Sequence, residues 1–186
     1  MPCTRPRIPT GSVSVTRILG IDPGSRVTGY GVIDVGGGHL RYVGSGCIRV
    51  QGADLAARLS CIFEAVRRIV ETYRPEEVAV ERVFLHRNAD SALKLGHARG
   101  AAICAVALDP VIVAEYSARE VKQAVVGTGA AAKTQVQHMV RHLLGLDNTP
   151  QSDAADALAV ALCHGHTGST LARLPAACGV RRGRRR

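Results

Sequence analysis

Asp22, Glu81, Asp153 and Asp156 are the residues whose type and setting suggest chemistry in this chain. Asp22 closes the apolar run Ile18-Leu19-Gly20-Ile21 and precedes Pro23-Gly24, while Glu81 closes Val78-Ala79-Val80. A carboxylate in a buried strand is costly unless it is neutralised, hydrogen-bonded or coordinated to a metal. Asp153 and Asp156 are three apart, so on a helix both project from one face. Hard oxygen donors gathered from separate stretches suit Mg²⁺ or Mn²⁺. Two such ions about 4 Å apart would activate a water for in-line attack on a phosphodiester and stabilise the leaving oxygen. The set therefore points to a metal-dependent nuclease. Taken singly, each acid also has a structural reading: Asp22 as a turn residue before Pro-Gly, Asp153 and Asp156 as acids at a helix N-terminus, Glu81 as the partner of an arginine such as Arg82.

These residues need a frame. Residues 1–16 lack periodicity and read as a flexible leader. RILGID (17–22), VTGYGVIDV (27–35) and LRYVGSGCIRV (40–50) alternate as strands, with Gly36 to Gly38 at a hairpin tip. Leu55, Leu59, Ile62, Phe63, Val66, Ile69 and Val70 form one stripe of a helix over 53–72 that ends before Pro75. EEVAVERVF (76–84) is a fourth, buried strand and VIVAEY (111–116) a fifth. Helices follow over 89–108, 117–126, 133–145 and 152–164. The order predicts an α/β fold, a five-stranded mixed sheet flanked by helices.

With 186 residues, the chain suffices for one domain with a real core. Its net charge is +9, but two arginines lie in residues 1–16 and six in 171–186, leaving a nearly neutral body of 16 basic against 15 acidic groups. If metals occupied four of the acids, the body would present a moderate basic surplus, compatible with a phosphate-binding face. The residues beyond Thr170 read as a disordered basic tail. No stretch approaches the roughly 20 apolar residues that span a bilayer. Six scattered cysteines with no C-x-x-C pair favour a reducing, cytoplasmic setting.

Lys122 and Lys133 are the only lysines after Lys94. Either could offset charge developing on a scissile phosphate, or simply face solvent. Phe84 could stack on an unpaired base or pack in the core, and Arg87, Asn88 and Lys94 are candidates for DNA-backbone contacts. GTGAAAKT (127–134) nearly spells a P-loop, but Ala132 replaces the glycine before the lysine and a helix, not a strand, precedes it. His164 and His166 read as structural.

The runs GIDPGSRVTGYGVI, YVGSGCIR, VERVF, NADSALKLGHARG, REVKQAVVGTGAAAK, QVQHMVRHLLGL and SDAADALAVALCH resemble the RuvC-type Holliday junction resolvases over Arg17 to His166. The resemblance implies an RNase H-like fold, a homodimer, Mg²⁺ dependence and symmetric nicking of a four-way DNA junction in recombination and repair. It also implies that a branch-migration complex of RuvA and RuvB presents the junction. The family's acids fall on Asp22, Glu81, Asp153 and Asp156, its DNA-contacting aromatic on Phe84, and its basic residues on Lys122 and Lys133. A two-fold substrate is matched by a two-fold protein; the Ala/Gly-rich helix over 89–108, with Gly96 and Gly100, is the candidate subunit contact, unless its small residues serve packing within one chain. Cleavage of an RNA strand in a hybrid, and a metal-independent junction-binding scaffold, are the competing functions.

Overall fold

The computed structural model describes residues 14–82 and 89–173. Three antiparallel strands, β1 (Thr16–Asp22), β2 (Val27–Gly36) and β3 (His39–Arg49), form the expected meander. Gly37 and Gly38 both have positive φ, which the tight β2–β3 turn requires. Helix α1 (Leu55–Tyr73) then crosses over, so that β4 (Glu77–Arg82) lies parallel to β1. A second crossover, α2 (Ala89–Val106), places β5 (Ile112–Ser117) parallel to β4. The sheet order is β3-β2-β1-β4-β5. Helices α3 (Ala118–Val126), α4 (Lys133–Leu143) and α5 (Ser152–Arg173) complete the element order.

Strand alternation sorts the core into two layers. Leu19, Ile21, Val32, Val78 and Val80 meet α1 and α2 on one face, whereas Ile18, Ile33 and Ala79 meet α3, α4 and α5 on the other. By the same period of two, Asp22 shares the second face with Ile18, and Glu81 shares it with Ala79. Helix α5 is the centre of that layer, buried all round from Ala157 to Cys163 because α3 and α4 cover its outer side.

Local signals end α1 and α3 where the sequence suggests. Asp54 Oδ1 caps α1 by accepting from Ala57 N at 2.8 Å, and Arg74 closes it in the left-handed region before Pro75. Ser117 and Glu120 form a reciprocal capping box on α3, which stops at Gly127 with φ 84°. GTGAAAKT thus joins two helices, and its lysine opens α4. Buried Asp34 accepts from Arg17 Nε at 2.8 Å and Arg41 Nη2 at 2.5 Å, and Arg17 Nη1 donates to Tyr73 O at 3.0 Å. This network fastens the start of β1 to the end of α1.

Two expectations are corrected. Leu55 is 51% exposed, so the inward stripe of α1 begins later, with Ile62, Val66 and Val70 fully in the core. Helix α5 runs on to Arg173, past the expected end near His164 and past the Thr170 boundary drawn for the tail. Gly165 does not break it, because that position packs beneath the side chains of Val35, Ile18 and Leu40, and tertiary contact overrides the weak helix preference of glycine.

Candidate active site

Asp22 is the last residue of β1 and Glu81 the last but one of the neighbouring parallel strand β4. The register pairs Ile21 with Val80, so the next residue on each strand brings the two carboxyl groups side by side on the α5 face. Thr28 Oγ1 secures the turn after Asp22, accepting from Gly24 N at 3.2 Å and donating to Gly24 O at 3.1 Å. Across the β1–β2 hairpin, Asp22 is opposite Gly29. A Cβ at Gly29 would lie 1.9 Å from the carbonyl oxygen of Asp153, and one at Gly20 would lie 2.1 Å from that of Ala157. Missing side chains on β1 and β2 therefore let the α5 backbone rest on the sheet. That contact lays the first turns of α5, with half-buried Asp153 and Asp156, over Asp22.

The electrostatics reflect the crowding. Burial, then the charges of Glu81 and Asp156, a hydrogen bond with Glu81 and the charge of Asp153 push the Asp22 carboxyl up to about 8. Burial also raises Glu81, opposed by the hydrogen bond from Asp22 and by Lys133 and Lys122. Their mutual hydrogen bond opposes ionisation of Asp22 and favours that of Glu81. Lys133, the first residue of α4, reaches across to Asp156, with Nζ–Oδ2 2.6 Å, and this bond raises the lysine. Glu81, Lys122, Lys133 and Asp156 line one cavity of about 210 Å³, with Val121 and Val136 among its apolar walls.

Among the described residues, no three His, Cys, Asp or Glu side chains stand close enough, as they lie, to hold an ion together. Asp22 and Glu81 are engaged with each other, and Asp156 with Lys133. The donor set nevertheless fits a hard divalent cation: all oxygens, partly buried, mutually repelling, and offset only by the ammonium groups of Lys133 and Lys122.

Stability should register that shortage. Because the folded Asp22 carboxyl is raised from 3.8 to about 8, its contribution is full below about pH 4 and is lost as pH rises through about 8. Metal-free protein is expected to lose melting temperature across this window, and the increment from added Mg²⁺ to grow as a cation replaces the proton. Calorimetry in matched buffers checks this; an increment that is flat from pH 5 to 8 would contradict it.

Other expected residues lie elsewhere. Lys94 pairs with Asp90 at 2.6 Å and borders a separate cavity with Arg58 and Ser25. Phe84, Arg87 and Asn88 lie outside the described residues. Arg82 is not the partner of Glu81: it is exposed and donates to Glu115 O at 3.1 Å. His164 is structural, bonded to Tyr116 Oη at 2.7 Å and Glu77 Oε2 at 2.7 Å, and His166 Nδ1 reaches Ala124 O at 3.2 Å. Sequence reasoning misses Arg99, whose Nε donates to Glu81 O at 3.2 Å while Nη2 lies 2.8 Å from Glu115 Oε2. Its one signal is an arginine on the inner part of an otherwise small-residue helix. Cys47 is missed as well; it is paired with Gly29 in the sheet, and burial pushes its thiol up.

Residues 18–164 match the family model described as crossover junction endodeoxyribonuclease RuvC. The chain is 59% identical over 170 residues to the protein of that name from Hahella chejuensis, covering 91% of this chain and 99% of the relative. It is 60% identical over 157 residues to the one from Aeromonas hydrophila, covering 84% and 91%. Among solved structures, Thermus thermophilus RuvC superposes with TM-score 0.75 at 37% identity, covering 83% of this chain and 96% of that one. The same protein in complex with Holliday junction substrate gives 0.74 at 35% identity, with the same coverage.

Proposed function

Since the chain belongs to the RuvC family of crossover junction endodeoxyribonucleases, we propose that Asp22, Glu81, Asp153 and Asp156 are the carboxylates with which it carries out its metal-dependent resolution of Holliday junctions in recombination and repair. The observation that carries this assignment is the half-buried Asp22–Glu81 pair on neighbouring strands, with ionisation of Asp22 opposed by burial and by the charges of Glu81, Asp156 and Asp153. These four carboxylates would hold two Mg²⁺ ions, with Mn²⁺ as a substitute, which would supply Lewis acidity toward the scissile phosphodiester.

The chain's own groups do the rest. Glu81 and Asp22 are half-buried, so a cation held by them would sit in a partly dry setting. Lys133 and Lys122 border the same cavity and offset charge that develops on the phosphate. Phe84, directly beyond β4, stacks on an unpaired base at the junction centre. Arg87, Asn88 and Lys94 hold the DNA arms rather than the reacting phosphate. The nuclease domain spans β1 to α5, and the arginine-rich stretch that follows α5 adds unspecific DNA affinity. The setting is cytoplasmic, with RuvA and RuvB delivering the junction; among the described residues no helix is long and apolar enough to cross a membrane.

Substrate choice is tested by competition. With Mg²⁺ present, a labelled four-way junction should be nicked symmetrically in the presence of an equimolar RNA/DNA hybrid. Preferential cleavage of the hybrid would overturn the substrate assignment.

Symmetric nicking calls for a homodimer, and α2 is the contact we assign. Leu93 is 60% exposed and Leu108 67%; Gly96, Gly100 and Cys104 between them are exposed as well, and added Cβ atoms at the two glycines would meet nothing within 4 Å. Gly96 and Gly100 are therefore not spent on packing within the chain, whereas Ala98, Ala102 and Ala105 on the other side of the helix are buried in its core. Gly100→Arg should convert a dimer to monomer in light scattering and abolish paired nicking. A dimer of unchanged affinity would remove α2 from the interface.

A further inference from the structure

The Lys133–Asp156 ion pair bears on how the site acquires its metal, an inference that rests on the carboxylate assignment above. Lys133 Nζ stands 2.6 Å from Asp156 Oδ2, with the lysine side chain 57% exposed and the aspartate 21%. Asp156 cannot bind an ion through that oxygen while it holds the ammonium at this distance. The lysine stem comes from α4 and the carboxylate from α5, so the bond joins two helices across the mouth of the cavity. We propose that Lys133 is a tethered counter-cation that competes with a divalent ion for Asp156, and so determines when the second half of the metal site can load.

Three observations lead to this. The four carboxylates do not form a ready cage among the described residues, and one cause is visible: Asp156 is turned to Lys133. Lys133 also feels the charges of Asp153 and Asp22, so it partly neutralises the group as a whole and not only its bonded partner. Its side chain is solvent-exposed enough to swing away without disturbing the core. A DNA phosphate entering the cavity gives the ammonium an alternative partner of the same charge sign as Asp156. Lys133 can therefore leave the carboxylate and meet the phosphate in one movement. Metal occupancy at Asp156 is then coupled to the presence of substrate, through a residue whose later task is at the reacting phosphate.

The test is a titration of Mn²⁺ into DNA-free protein, followed by calorimetry and by the electron paramagnetic signal of free Mn²⁺, for wild type, Lys133→Met, Lys133→Arg and Asp22→Asn. Removing the competing charge should tighten the weaker Mn²⁺ step roughly three- to tenfold in Lys133→Met, while Lys133→Arg, which keeps the charge, stays near wild type. Equal or weaker binding by Lys133→Met, with its fold confirmed by circular dichroism, would overturn the proposal. Asp22→Asn separates the two readings: it should lose the tighter step, and if it binds like wild type the carboxylate assignment itself fails, whatever Lys133 does.

Discussion

Asp22→Asn is expected to abolish cleavage of a four-way junction, by at least about 10³-fold, or about 4 kcal/mol of barrier, while junction binding changes little. The substitution keeps the shape of the side chain and removes the charge that a hard cation requires. DNA affinity comes mainly from neutralised phosphates, and Asp22 contributes none of that. A second consequence separates this explanation from simple misfolding. The wild-type carboxyl resists ionisation because it is buried beside Glu81 and Asp156. Its amide replacement has no charge to desolvate, so metal-free Asp22→Asn should melt higher than wild type near pH 8, yet gain less from Mg²⁺. A more stable, junction-binding, inactive protein is the expected signature. Cleavage within a few-fold of wild type would refute the role given to Asp22.

The next largest effect is expected from a single methyl group, in Gly29→Ala. The new Cβ would sit 1.9 Å from the Asp153 carbonyl oxygen and 2.5 Å from its carbon. Both are backbone atoms, so no rotamer change relieves the clash; the first turn of α5 must lift by roughly 1 Å or more to restore contact distance. Overpacking of this kind costs about 3 kcal/mol, or about 10 °C in melting temperature for a domain of this size. The lift also carries Asp153 and Asp156 away from Asp22 and Glu81, and a displacement of about 1 Å in a reacting geometry can cost roughly 100-fold in rate. Gly168→Ala is the control, since its Cβ would meet nothing within 4 Å and alanine favours helix. Melting and cleavage unchanged in Gly29→Ala would show that α5 is not seated as described.

Much of this arrangement is legible in the residues alone. Alternation in RILGID and EEVAVE marks two buried strands that end in acids, and counting by twos from Ile18 and Ala79 puts both acids on one face. The ion pair of Glu81 with Arg82 that the sequence leaves open fails because adjacent side chains leave opposite faces of β4 and Arg82 turns outward to Glu115 O. Spacing places Asp153 and Asp156 on one side of a helix start. Which helix lies on which strand is not legible. Gly20 and Gly29 look like ordinary weak points in strands, and only the approach of α5 shows that their missing side chains create its seat. The far end of α5 is hidden for a related reason: a helix buried on every side has no amphipathic period, and Gly165 and Gly168 look like stop signals. Arg99 and the Lys133–Asp156 bond depend on distances between elements far apart in the chain, about which local pattern is silent.

Under the proposed assignment, four carboxylates from β1, β4 and α5 form one metal site. Anomalous diffraction from crystals soaked in Mn²⁺ measures this directly. The expected result is a peak within coordination distance of Asp22 and Glu81, with Asp153 or Asp156 completing it and Lys133 withdrawn from Asp156. Saturating Mn²⁺ with no ordered peak between Asp22 and Glu81 would contradict it.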